Sequence, residues 1–299
     1  MLTKRFGEWF EVTVPSNWEG ITIEDVLKTE WTMPKQMLHQ FRMEKGTRLN
    51  GETKNLNALL KQNDKLQVRL FPEEEYGVSP EYIADLHVLY EDDHLLIANK
   101  PAGMDTHPNV EGQLGTLANA IAYHFQANGV HTKIRHIHRL DRDTTGAVIF
   151  AKHKLASSIL DRRLEKREIK RTYIALVHGI IKQKKGTIDA SIGRDRHHPT
   201  RRRVSPTGQK AITKFNVIQT IDNKKMTLVE LELLTGRTHQ IRVHMSHLGY
   251  PLVGDTLYGG QPIVPRQALH AAKISLLHPL TNEKIMCKAP FLDNSLIFS

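Results

Sequence analysis

From about residue 84 onwards the apolar segments are short, and strand-like segments follow one another with few helices between them. No other feature limits the fold as strongly. A parallel strand pair needs a crossover of a dozen or more residues, usually a helix, whereas antiparallel neighbours need only a tight turn. Leu86 to Tyr90 and Leu95 to Asn99 read as strands around Glu91-Asp92-Asp93, and Leu117 to Phe125 as an amphipathic helix ended by Asn128-Gly129. The run through Phe150 predicts a strand, followed by a helix from about His153 to Lys166 and strands near Thr172 to Val177 and Met226 to Leu234. Thr238 to Leu248 predicts a further helix, with Thr238 as N-cap and Gly249 and Pro251 as its stop. There is no internal repeat. The expected class is α+β, with a mixed, largely antiparallel sheet.

Residues 1–72 carry a pattern of their own. Trp9 to Val14 alternates as a strand does, and Ile23, Val26 and Leu27, then Met37, Leu38 and Phe41, recur at helical spacing with Pro34 near a helix start. Gly46 to Glu52 reads as a strand running into an Asn50-Gly51 hairpin turn, and Asn63 to Leu70 as a second turn and strand. This helix, helix, hairpin order resembles the S4-type RNA-binding module. Residues 73–83, with two prolines bordering an acidic and glycine-containing run, read as a linker, leaving 84–299 as the larger domain.

Lys and Arg number 42 against 32 Asp and Glu, a net charge of +10, which attracts polyanions. No apolar run approaches the roughly 20 residues that span a bilayer, and the first residues lack the apolar core of a signal peptide. Cys287 is the single cysteine, so neither a disulfide framework nor a thiolate metal cluster is expected. A cytoplasmic protein without membrane contact is the expectation.

The chemistry concentrates in three places. His138-Arg139-Leu140-Asp141, followed by Arg142-Asp143-Thr144-Thr145-Gly146, sets a carboxylate among basic side chains on a turn leading into an apolar strand. Opposite charge within a few ångströms favours the charged form of a carboxylate, which suits a nucleophile. A buried ion pair fits this stretch equally well. Asp143, with its short side chain before Thr144-Thr145-Gly146, is expected to accept backbone N–H groups of the turn. Arg242 falls in the first turns of the helix after Gly236-Arg237-Thr238, where the macrodipole disfavours a cation and a nearby carboxylate would offset it. Tyr173 in Lys170-Arg171-Thr172-Tyr173 shares a strand face with Ala175 and Val177 and is able to stack on a base, or to serve as an ordinary core tyrosine.

Together with Ala98-Asn99-Lys100-Pro101-Ala102-Gly103 and Gly249-Tyr250-Pro251-Leu252-Val253-Gly254-Asp255, these motifs occur in the order and approximate spacing of the RluA-type RNA pseudouridine synthases, which residues 84 to 290 resemble. The resemblance implies the fold of that family, an S4-like N-terminal domain, and isomerisation of uridine to pseudouridine in ribosomal or transfer RNA. It implies that Asp141 is the catalytic aspartate, that Tyr173 packs on the target base, and that Arg242 pairs with Asp141. Arg139 would fill the space of the flipped base, and Leu269 or Ile274 would form the wall opposite Tyr173.

His138, Arg139, Arg237, His239 and Gln240 are expected to contact the RNA. So are Arg201, Arg202 and Arg203, whose stretch, Arg194 to Lys210, is rich in basic residues, His, Pro and Gly and reads as a mobile phosphate-binding loop. The paired histidines, His136 with His138 and His244 with His247, lack the partners of a zinc site. The scheme needs no cofactor and no metal, and a monomer acting on structured RNA is expected. The competing readings are a non-catalytic RNA-binding protein and an aspartate-dependent nucleoside hydrolase.

Overall fold

The structure, a computed structural model, describes residues 2–293 and 297–298. The first sheet runs through β1 (Thr3–Phe6), β2 (Trp9–Thr13), β3 (Thr47–Leu49), β4 (Glu52–Thr53) and β5 (Lys65–Arg69), in spatial order β1-β2-β5-β3-β4. Its helical layer is α1 (Ile23–Asp25), which continues as a π-turn over Val26–Glu30, and α2 (Lys35–Met43). Thr22 starts α1 with a reciprocal cap: its hydroxyl accepts the Asp25 N–H while Asp25 accepts the Thr22 N–H. The hairpin turn between β3 and β4 takes positive φ at Asn50 (54°) and Gly51 (86°), the conformation that Asn-Gly favours.

This unit has its own core, with Trp18 and Trp31 edge to face at 5.9 Å, and that core extends onto Leu155, Ile159 and Leu280. The unit therefore docks on the rest of the chain. Residues 73–83 form no strand or helix, yet they are strapped down. The Glu74 N–H donates to the His131 carbonyl at 3.1 Å, the Ile134 N–H to Tyr76 at 2.9 Å and the Glu81 N–H to Asn119 at 3.1 Å. The Glu74 carboxylate pairs with Arg135 and Lys154.

The remaining elements are β6 (His87–Glu91), β7 (Leu95–Lys100), α3 (Leu117–Ala127), β8 (Arg135–His136), β9 (Thr145–Ala151), α4 (Lys154–Glu165), β10 (Lys170–His178), β11 (Lys185–Asp189), β12 (Ile192–Arg194), β13 (Arg202–Val204), β14 (Ile212–Ile221), β15 (Met226–Leu233), α5 (Gln240–His247), β16 (Leu269–Leu277) and β17 (Lys284–Lys288). A ten-stranded sheet runs β11-β14-β15-β10-β16-β9-β7-β6, with β17 beside β16 and β8 beside β9. Among the described residues every ladder in it is antiparallel except β9 with β16, so the sheet is mixed and largely antiparallel, as the pattern of short strands predicts.

Two expectations fail here. The basic stretch from Arg194 to Lys210 is not a loop throughout: Arg194 and Arg202–Val204 belong to β12 and β13, which pair as a hairpin around the connection 195–201, anchored where the Arg202 N–H donates to the Tyr258 hydroxyl at 2.9 Å. Apolar contacts from Ile192 and Val204 hold it, which the surrounding charge obscured. The N-cap of α5 is His239, not Thr238, and it lies in the left-handed region at φ 58°.

Alternation along the strands divides the sheet into two faces. Leu96, Ala98, Val148, Phe150, Tyr173 and Ala175 face α3 and α5 in one cluster, while Leu95, Ile97, Ala147, Ile149 and Ile274 join Ala156 and Leu160 of α4 in another. The N-terminal unit docks on α4. It thus lies behind the face that carries Tyr173.

Candidate active site

Asp141 sits in the turn before β9, and that turn is fastened from below. The Thr106 hydroxyl donates to the Leu140 carbonyl at 3.0 Å and accepts the Leu140 N–H at 3.1 Å. The Lys100 ammonium, fully buried, donates to the carbonyls of Pro101, Met104 and Arg142 at 2.9, 2.6 and 2.7 Å. Burial pushes its pKa down to about 7, against the pull of Asp143, Asp141 and Asp105. The turn is closed by the Thr144 N–H on the Asp141 carbonyl, not by the Asp143 side chain as expected from the sequence. Gly146 then lets β9 press against β16: a Cβ there would lie 2.4 Å from the Ala271 carbonyl oxygen.

Arg242, on the first turn of α5, reaches Asp141 from the far side of the cleft, its Nη1 donating to Asp141 Oδ2 at 3.1 Å. The same guanidinium holds Asp255 at two points, Nε to Oδ2 at 2.8 Å and Nη2 to Oδ1 at 2.9 Å. Burial alone would favour the neutral guanidine, but the two carboxylates outweigh it and hold the Arg242 pKa above its ordinary value. Tyr258 covers the group, with its ring centroid 5.0 Å from the guanidinium carbon, and its hydroxyl meets His239 Nδ1 at 2.8 Å. His239 Nε2 in turn lies 3.8 Å from Asp141 Oδ2.

Tyr173 is 4% exposed and packs with Leu140 and Ile241. The register of β10 on β16 shifts between Thr172 and Ile174, with the extra residue on β16, so the bulge lies in the strand facing Tyr173. Burial raises the Tyr173 phenol above its ordinary pKa; Arg171 opposes this and Asp141 adds to it. Of the two candidate walls, Leu269 joins the cluster of Tyr173, whereas Ile274 faces the other side of the sheet.

Two cavities meet at Asp141. One, of about 580 Å³, is lined by His138, Arg139, Asp141, Arg171, Tyr173 and Gly236; the other, of about 460 Å³, by Arg139, Asp141, Arg202, His239 and Arg242. Together they form a cleft rimmed by arginines.

The expected RNA contacts separate into three groups. Arg139, Arg202, Arg237 and His239 line the cleft; Arg201 is exposed and pairs with Asp195 at 2.6 Å, and Arg203 is exposed on the hairpin. Gln240 and His138 are instead buried. The Gln240 amide accepts from the Arg237 N–H and the Thr235 hydroxyl and donates to Ile212 and Thr213, so it anchors the start of α5 and has no free group for RNA. His138, on the wall of the larger cavity, accepts the Ile149 N–H on Nε2. His244 engages Thr213 and Ala190 with its two ring nitrogens.

Asp255, Tyr258, Lys100 and Thr106 were not singled out from sequence. The only signal for Asp255 was its place in the Gly254-Asp255 motif, which had no assigned role.

Residues 94–247 match the family described as RNA pseudouridylate synthase, and residues 10–66 match the one described as RluD ribosomal pseudouridine synthase N-terminal domain. The chain is 50% identical over 286 residues to a Bacillus subtilis protein named uncharacterized RNA pseudouridine synthase YhcT, covering 95% of this chain and 94% of that one. It is 40% identical over 246 residues to ribosomal large subunit pseudouridine synthase D of Pseudomonas aeruginosa, covering 76% of each. Its structure is similar to that of human RNA pseudouridylate synthase domain containing 1, with a TM-score of 0.58, 27% identity, and coverage of 71% of this chain and 86% of that one.

Proposed function

This chain belongs to the RNA pseudouridylate synthase family, isomerases that convert uridine in RNA to pseudouridine, and on that premise we propose that Asp141, Tyr173 and Arg242 carry the reaction. The observation that supports this most is the 3.1 Å bond between Arg242 and Asp141 where two cavities join, with Tyr173 on the wall of one. The target uridine leaves its stack, at a cost of a few kcal/mol, and Tyr173 and Leu269 receive the base. Arg139, exposed on the same turn as Asp141, occupies the vacated place. The Asp141 carboxylate attacks the ribose or base, or counters positive charge on the sugar, as the N1–C1′ bond opens; the base turns and C5 joins C1′. Arg242, itself fixed by Asp255, holds the carboxylate aimed.

The substrate we infer is structured ribosomal RNA, gripped on its phosphates by Arg202, Arg203 and Arg237, with the protein acting as a cytoplasmic monomer. The names of the relatives and the net charge support it. Residues 1–72 then serve as an S4-like RNA-binding domain, 73–83 as the connection and 84–299 as the catalytic domain. A non-catalytic RNA-binding role is disfavoured by the intact trio of Asp141, Tyr173 and Arg242.

Asp141→Asn should abolish pseudouridine formation while RNA binding, read by gel shift, survives. Loss of both together would reduce Asp141 to a structural ion pair, and release of free uracil by the wild type would mark a hydrolase. Comparing pseudouridine maps of total RNA from cells with and without the gene identifies the target.

A further inference from the structure

Three arginines among the described residues are buried: Arg171, Arg242 and Arg266. Arg242 holds Asp141 and Asp255, and Arg266 holds Asp293. Arg171, 7% exposed on β10, has neither a carboxylate nor a carbonyl partner among the described residues, and its Nε is fully buried without a hydrogen bond. Buried charges are ordinarily paired, because an isolated one costs several kcal/mol. A second orphan lines the same cavity. His138 uses Nε2 to accept the Ile149 N–H, so its proton resides on Nδ1, and that N–H is buried without a partner. Burial, reinforced by Arg171, pushes His138 down to about 3, which leaves the ring neutral. The Arg171 head lies against Gly236, itself on the cavity wall: a Cβ at Gly236 would stand 3.2 Å from Arg171 Nη1.

We propose that Arg171, with the His138 Nδ1–H in the same cavity, binds a carbonyl oxygen of the flipped uracil. Arg171 precedes Tyr173 by two residues on β10, and the two line the same cavity. A backbone phosphate does not reach this depth, because the RNA strand must continue on both sides of it at the rim. A flipped base does.

The chemistry gives the cation a purpose beyond recognition. When the N1–C1′ bond breaks, its electron pair stays with the uracil and spreads onto O2 and O4, while C1′ becomes electron-poor beside Asp141. A fixed guanidinium at a carbonyl oxygen favours that charged arrangement over the neutral base. C5 then bonds to C1′, the C5 proton leaves and N1 gains one. Atoms and electrons balance without an oxidant or co-reactant.

The inference rests on the active-site reading above, and the test separates the two. Total RNA from cells lacking the gene, labelled with tritium at uridine C5, releases tritium on turnover. Arg171→Met should lower the single-turnover rate about 100-fold or more, with RNA affinity and its salt dependence unchanged, and Arg171→Lys should recover part of the rate. Because Met removes an uncompensated buried charge, the melting temperature should hold or rise. A normal rate in Arg171→Met would overturn the proposal. So would weaker binding with a shallower salt dependence, which marks a phosphate contact, or a lowered melting temperature, which marks a structural role. If Asp141→Asn stays active, the site itself is misassigned; if it is dead while Arg171→Met turns over normally, only the present inference fails.

Discussion

Arg242 is a buried cation shared by two carboxylates, and a double-mutant cycle on Asp141 and Asp255 measures that sharing. The Asp255 side chain is 1% exposed and takes two bonds, at 2.8 and 2.9 Å, from Nε and Nη2. Asparagine offers one acceptor, so Asp255→Asn leaves one guanidinium N–H facing an amide N–H. Breaking a buried pair outright costs about 3–5 kcal/mol. Asp141 still neutralises Arg242, so the lower end, about 3 kcal/mol, applies. For a chain of this size that is a fall in melting temperature of about 5 °C. Asp141→Asn alone removes one bond at 3.1 Å from a side chain 22% exposed while Asp255 remains, a loss of about 1 kcal/mol or less. The double variant leaves Arg242 without any carboxylate. Its loss should exceed the sum of the single losses by about 1–3 kcal/mol. Thermal and urea unfolding of the four proteins provides the measurement. Additivity within about 0.5 kcal/mol would refute the shared-cation reasoning.

Stability should also fall in mild acid. Burial depresses His94 and His136 to about 4 and His138 to about 3, and holds His153 well below its ordinary value of 6.5. The unfolded chain then takes up protons first, so this stability is complete above pH 6.5, is lost as pH falls towards 4, and levels off below the folded values. Each histidine contributes a slope of at most about 1.4 kcal/mol per pH unit, and a urea midpoint that stays flat from pH 7 to about 5 would contradict it. Gly146→Ala should destabilise by about 3 kcal/mol or more, since φ is 115° and the Ala271 backbone occupies the Cβ position. An unchanged melting temperature would mean that β9 and β16 can part there.

Much of this protein is written in short stretches of chain. The Asn50-Gly51 turn, the alternation that puts Tyr173, Ala175 and Val177 on one face, the end of α3 at Asn128 and the antiparallel character of the sheet all follow from propensities and periodicities that act over a few residues. Asp141 and Arg242 stood out as charged groups without a local partner, and the resemblance to a known family joined them with Tyr173 as candidates. Tertiary structure decided the rest. Arg242 meets Asp141 across 101 residues of sequence, and its main anchor proved to be Asp255. Gln240 and His138 turned inward because backbone groups of β14 and β9 needed partners, while Arg171 was buried with none. Such outcomes depend on which strands become neighbours, and a hydrogen bond or an orphaned charge exists only once they have.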